Sequence, residues 1–123
     1  MAKKTRLQRT TEILRKHELI YQKVEYWHSF ARKRIDLFGI IDILVLDCHR
    51  TIGLQICGSD LASHKQKMIE SNNTIPWIEA GNELQIHSWR RLVKVRGKKA
   101  KYWDCRKVDV LLINNQLVFE ERK

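Results

Sequence analysis

The most constraining stretch of this chain is GIIDILVLD, residues 39–47, a β-branched apolar run with a carboxylate in its middle. Apolar side chains at both parities predict a strand covered on both faces, hence central in its sheet. Asp42 breaks that pattern. A buried carboxylate is costly unless it is hydrogen-bonded, paired or metal-bound. Two arrangements offset the cost. In one, Asp42 ligates a divalent metal at a strand kink. In the other, it caps a loop or meets an arginine such as Arg34.

Around this strand the chain reads as alternating elements. The 123 residues suit one compact domain, expected over 10–123 after a basic flexible arm over 1–9 that carries Lys3, Lys4, Arg6 and Arg9 without an acid. Ile13, Leu14, Glu18 and Tyr21 predict a helix over 10–21 capped by Thr10 or Thr11. A strand is expected over 22–27, then a polar loop over 28–34. Residues 51–57, TIGLQIC, should pair with 39–47 as a hairpin. Asp60 or Ser59 caps a helix running to about Asn72, with Leu61, Ala62, Met68 and Ile69 on its buried face. Pro76 opens a short helical turn that Gly81 closes, and residues 84–89 form a further strand. Gly97 marks a hairpin tip, and residues 108–119 are β-prone around an Asn114–Asn115 turn. The order is αβββαβ with a β-rich C-terminal extension, an α/β fold in which helices flank a small mixed sheet.

Charge narrows the function. The 24 Lys and Arg against 14 Asp and Glu leave +10, which suits a polyanion. Residues 90–107 hold nine Lys or Arg against one Asp. Arg32, Lys33 and Arg34, then Arg90, Arg91, Lys98, Lys99 and Lys101, are the expected phosphate contacts, which hold a backbone without reading its sequence. His64 is a further phosphate candidate or a solvated helix residue. Trp27, Trp77, Trp89 and Trp103 read as core and rim packing before base stacking. The longest apolar run is broken by Asp42, so no membrane span is expected, and no apolar signal core follows the basic N-terminus. Cys48, Cys57 and Cys105 are odd in number and contain no CxxC pair, which argues against a zinc ribbon or disulfide framework and for a reducing cytoplasm.

The strand period of two puts Gln55 and Cys57 on one face, near Asp42 if the hairpin pairs in that way. Gln55 then offers an oxygen to a hard cation such as Mg²⁺, or is a polar residue at an exposed edge. DLFGIID at 36–42, LQIC at 54–57 and LASHKQK at 61–67 follow one another, and IPWIEAG at 75–81, HSWRR at 87–91 and residues 103–110 come after them. In this order and spacing they resemble the PD-(D/E)xK nuclease superfamily, and within it small phage-type, Holliday-junction-resolvase-like endonucleases. The resemblance implies a restriction-endonuclease-like core and Mg²⁺- or Mn²⁺-dependent hydrolysis of DNA phosphodiesters. It also implies a branched or junction substrate and the cytoplasm of a bacterial or phage-infected cell. A homodimer is compatible with it.

By that resemblance Asp42, Gln55 and Glu25 hold the metal, and a helical lysine assists. Lys67 matches the group's lysine in sequence. The helical face instead favours Lys65, whose amine can snorkel toward the site. Asp36 is either a further ligand or a cap for the turn that follows it. The chain departs from the superfamily at two places. Gln55 stands where the second acid belongs, and Cys57 stands where a lysine belongs. These departures define the alternative, a catalytically inactive nuclease-like module that binds DNA.

Overall fold

The computed structural model describes residues 3–122. Its elements are α1 (Arg6–Lys16), β1 (Ile20–Lys23), β2 (Tyr26–His28), β3 (Lys33–Ile35), β4 (Ile43–Asp47), β5 (Arg50–Cys57), α2 (Leu61–Glu70), α3 (Thr74–Glu79), β6 (Glu83–Val93), β7 (Lys101–Ile113) and β8 (Gln116–Glu121). Six strands form one sheet in the order β1-β4-β5-β6-β7-β8, and β2 and β3 form a separate hairpin. Among the described residues only β5 and β6 pair in parallel, so the sheet is mixed. No helix among the described residues is long and apolar enough to cross a membrane.

Alternation along the strands divides the core in two. On one face Ile43, Val45, Ile52 and Leu54 pack with Leu14 of α1. On the other, Ile41, Cys57, Ile86, Val108 and Val110 pack with Leu61 and Met68 of α2. Helices therefore cover both faces. At Gly53 a side chain would collide with Ile41 and Trp77, so glycine lets the second layer close onto β5.

Several boundaries differ from expectation. The helix expected at Thr10 starts at Arg6, because Thr5 and Gln8 form a reciprocal capping box: Thr5 Oγ1 accepts from the Gln8 N–H at 3.1 Å, and Gln8 Oε1 accepts from the Thr5 N–H at 2.8 Å. Arg6 and Arg9 thus belong to a helix, not to an arm, while Met1 and Ala2 lie outside the described residues. Thr10 sits inside α1, where its hydroxyl accepts from the buried Trp89 indole N–H at 2.9 Å. The strand expected over 22–27 is split between β1 and β2, and the loop expected over 28–34 is largely a hairpin.

The run at 39–47 is also shorter as a strand. Phe38 and Gly39 both take positive φ, Leu37 bridges to Ile41, and β4 begins only after Asp42. Nor is β4 central. It lies next to the edge strand β1, and Leu46 is 47% exposed. The strands covered on both faces are β5 and β6. The hairpins at Gly97 and at Asn114–Asn115 form as expected, with positive φ at all three residues.

The Thr10–Trp89 bond joins α1 to β6 in a buried place. Replacing Thr10 by Val keeps the shape and strands the indole N–H, which should cost about 1–3 kcal/mol. Urea unfolding of wild type and Thr10→Val measures this, and equal midpoints would show that the bond does not hold α1 down.

Candidate active site

Three carboxylates converge where the chain enters and leaves the β2–β3 hairpin. Glu25 precedes β2, Asp36 follows β3, and Asp42 precedes β4. The Val24 N–H donates to the Asp42 carbonyl at 2.9 Å, which closes the base of the hairpin. One carboxylate oxygen from each of the three acids lies within 4.8 Å of the others. Asp42 is buried, and its Oδ2 accepts from Gln55 Nε2 at 2.6 Å and from the Ile56 N–H at 2.7 Å.

Burial is the largest influence on Asp42 and, with the hydrogen bond to Asp36 and the nearby acids, pushes its pKa up to about 8 against the pull of the Ile56 N–H. Burial alone would raise Asp36 too. The hydrogen bond with Asp42 and the Lys67 ammonium outweigh it and hold Asp36 below the ordinary carboxylate range. The two acids are thus pushed in opposite directions, Asp42 toward its protonated form and Asp36 toward its charged form.

Lys67 closes the ring. Its Nζ donates to Asp36 Oδ2 at 3.0 Å and to Gln55 Oε1 at 3.3 Å. Lys65 instead lies 5.7 Å from the centroid of the Phe119 ring, so the helical-face preference for Lys65 is corrected. The face read from Leu61, Ala62, Met68 and Ile69 was displaced. Ala62 and Ile69 are exposed, and the buried stripe runs through Leu61, His64, Lys65 and Met68. Lys67 leaves the rim of that stripe, and its long arm reaches Gln55 on β5. Burial pushes the Cys57 thiol up to about 11, so it stays neutral and supplies no charge. Gln55 turns its amide nitrogen to the acids and its oxygen to Lys67; a half-turn of the amide would exchange the two.

An open groove of about 990 Å³ lies over Asp42 and Glu25. Its walls carry Lys3, Lys4, Arg6, Arg9, Lys23, Arg34 and Arg91, with Trp103 among them. The Arg9 guanidinium lies 4.4 Å and that of Arg91 5.6 Å from the Trp103 ring centroid. Arg34 pairs with Glu25 at 3.2 Å rather than with Asp42. Of the cations singled out from sequence, only Arg34 and Arg91 line this groove. Arg32 and Lys33 are exposed on the hairpin, and Lys98, Lys99 and Lys101 are exposed around the Gly97 turn. Arg90 is paired with Asp104 at 2.9 Å, and His64 with Asp60 at 3.1 Å. Lys3, Lys4, Arg6, Arg9, Lys23 and Trp103 were not singled out as site residues. The signal available for them was the run of N-terminal cations without an acid.

The aromatics divide by role. Trp89 is buried against Thr10, and Trp77 donates its indole N–H to the Glu83 carbonyl. On the β2–β3 hairpin, Tyr26 and Trp27 are exposed and Phe30 is 96% exposed.

Comparison with known proteins finds no matching family model, no matching curated protein and no matching solved structure. The chemistry is therefore read from the site itself. Three converging carboxylates, one of them buried and disposed to hold a proton, form the kind of hard oxygen donor set that Mg²⁺ or Mn²⁺ takes. Such a cation would displace that proton.

The raised pKa of Asp42 has a measurable consequence. The pKa of Asp42 is raised above its ordinary 3.8 to about 8 in the folded chain, so the folded state binds the proton more tightly. The stability this contributes is complete below the ordinary value and is lost as pH rises toward the folded one. Between about pH 5 and pH 8 the wild type should lose stability relative to Asp42→Asn, and Mn²⁺ should restore it at the upper end. Urea melts of both proteins across this range test it. An unchanged difference would mean that Asp42 is not protonated.

Proposed function

We propose that this protein is a divalent-metal-dependent DNA endonuclease of the PD-(D/E)xK kind, built on a restriction-endonuclease-like core. The observation that carries the reading is the closed ring of Asp42, Gln55, Lys67 and Asp36, with Glu25 beside it, which meets a cation-walled groove at Asp42 and Glu25. The element order supports it. With the β2–β3 hairpin and α3 set aside, α1, β1, β4, β5, α2 and β6 run αβββαβ, and β7 and β8 extend the sheet.

The residues divide the chemistry. Asp42, Asp36 and Glu25 would hold the metal, which would supply a nucleophilic water and charge neutralisation at the phosphate. Lys67 brings a cation to the developing negative charge and orients the water. Gln55 holds Lys67 in position through its oxygen and joins the metal shell if its amide turns. Arg6, Arg9, Arg34 and Arg91 hold the phosphate backbone on either side. The two departures from the superfamily pattern are then compensated. Asp36 and Glu25 stand in for the acid missing at Gln55, and Lys67 for the lysine missing at Cys57. That compensation favours an active enzyme over an inactive DNA-binding module. The exposed Trp27 and Phe30, on a hairpin bracketed by Glu25 and Asp36, favour a substrate with unstacked or branched strands.

Cleavage of labelled linear, flap and four-way-junction DNA with Mn²⁺ tests the reading. Asp42→Asn should abolish cleavage and leave binding intact, because it keeps the shape and removes the charge that holds the cation. Lys67→Ala should lower turnover by about a hundredfold or more, the scale for losing one transition-state charge stabiliser. Lys65→Ala should cleave like wild type. Equal rates for Asp42→Asn and wild type would end the nuclease reading.

The groove itself predicts a salt signature. Each phosphate contact removed lowers the log–log salt slope of duplex binding by about one unit. The Arg6→Ala, Arg9→Ala double variant should therefore lose about two, and the Lys98→Ala, Lys99→Ala, Lys101→Ala triple variant less per residue. Anisotropy titrations at several salt concentrations decide this. A slope that falls only in the triple variant would move the DNA surface to the Gly97 hairpin.

A further inference from the structure

A second group of ligand atoms stands apart from the acidic ring. Cys57 is the last residue of β5, Asp60 is the N-cap of α2, and His64 lies one turn into that helix. Their spacing is Cys-x2-Asp-x3-His. One ligand atom from each, the Cys57 sulfur among them, lies within 4.8 Å of the others. We propose that Cys57, Asp60 and His64 form a zinc-binding site, separate from the acidic ring and of different chemical preference.

The geometry is prepared by the turn between strand and helix. The Gly58 N–H donates to Asp60 Oδ1 at 3.1 Å, and Ser88 Oγ donates to the Gly58 carbonyl at 2.7 Å. Asp60 and His64 share one side of α2, with Oδ2 and Nε2 at 3.1 Å. Zinc bonds of ~2.0–2.3 Å set tetrahedral donors roughly 3.3–3.8 Å apart. Small rotations of the exposed Asp60 carboxylate and the His64 ring close the remaining gap. His64 Nδ1 is buried and makes no hydrogen bond among the described residues. Its ring thus keeps one nitrogen unused among the described residues, in a cluster that also contains a buried sulfur.

The donor types select the ion. The acidic ring offers only oxygens and suits hard Mg²⁺ or Mn²⁺. A thiolate, an imidazole and a carboxylate suit the softer Zn²⁺. On binding, the Cys57 sulfur bonds to zinc and its proton leaves to solvent, so thiolate and carboxylate together balance the ion's charge. Arg6, packed over Gly58, is the countercharge with which the ion competes. Asp60 is open to solvent, which leaves the fourth position for water. The ion would bind the end of β5, which carries Gln55, to the start of α2, which carries Lys67.

Co²⁺ replaces Zn²⁺ in such sites and reports a bound thiolate by a charge-transfer band that carboxylates cannot produce. Wild-type protein titrated with Co²⁺ should develop this band at one equivalent and lose it on adding Zn²⁺. Cys57→Ala should abolish it, and His64→Ala should weaken Co²⁺ binding at least tenfold, the scale by which even supporting residues tune metal affinity. Asp42→Asn and the Cys48→Ser, Cys105→Ser double variant should keep the band, which separates this site from the acidic ring and from the other thiols. Circular dichroism checks that each variant is folded, and His64→Ala, a position less buried than Cys57, carries the test if Cys57→Ala is not. No thiolate band in the wild type, a band that survives His64→Ala at full affinity, or a band lost with Cys48 and Cys105 would each overturn the proposal.

Discussion

The buried carboxyl of Asp42 is the group around which this structure is organised. It lies just before β4, and its main chain is tied on both sides: the Asp42 N–H donates to the Leu54 carbonyl at 2.8 Å, and the Asp42 carbonyl accepts from Val24. Its side chain meets Gln55, Ile56 and Asp36. A carboxyl here is tolerable because Oδ2 accepts two hydrogen bonds and because burial favours its protonated form while Asp36 keeps the charge. Lys67 then compensates the charge on Asp36 from the next layer. Strand, hairpin and helix are thus held to one another through a polar cluster rather than by apolar packing alone.

The hairpin insertion sets the shape of that cluster. β2 and β3 leave the main sheet between Glu25 and Asp36 and return to it. The two acids are eleven positions apart in a chain that would otherwise carry them in opposite directions, and pairing of Tyr26 with Ile35 brings them back together. The same pairing exposes Trp27 and Phe30. A site and a projecting aromatic surface arise from one fold of the backbone, which is why the proposed chemistry and the proposed branched substrate are linked.

The groove depends on a different, longer-range contact. Thr10 and Trp89 are 79 positions apart, and their hydrogen bond seats α1 across β6. Arg9 then reaches Trp103, which Arg91 approaches from β6. Cations from the first helix and from a late strand come to share one wall, and Asp42 and Glu25 form the floor between them. For the proposed nuclease this sets a polyanion's binding energy directly beside the acids that would act on it.

The sequence alone was enough for whatever depends on neighbours along the chain. The β4–β5 hairpin brings Asp42 and Gln55 together because strand period and a short turn leave little freedom. The turns at Gly97 and at Asn114–Asn115 were legible because few other residues accept positive φ. The mixed α/β layering followed from the order of the elements. Only the tertiary structure decided the rest. Periodicity gives the direction in which a helical side chain leaves the backbone, but not how far it reaches or what it meets, so it could not choose Lys67 over Lys65. Local pattern could not tell that residues 28–34 fold into a hairpin that returns Asp36 to Asp42. The cations of 3–9 read as an arm because nothing near them in sequence buries them. Their place on the groove wall rests on a capping box and on a hydrogen bond to a tryptophan most of the chain away, and such contacts leave no periodic trace.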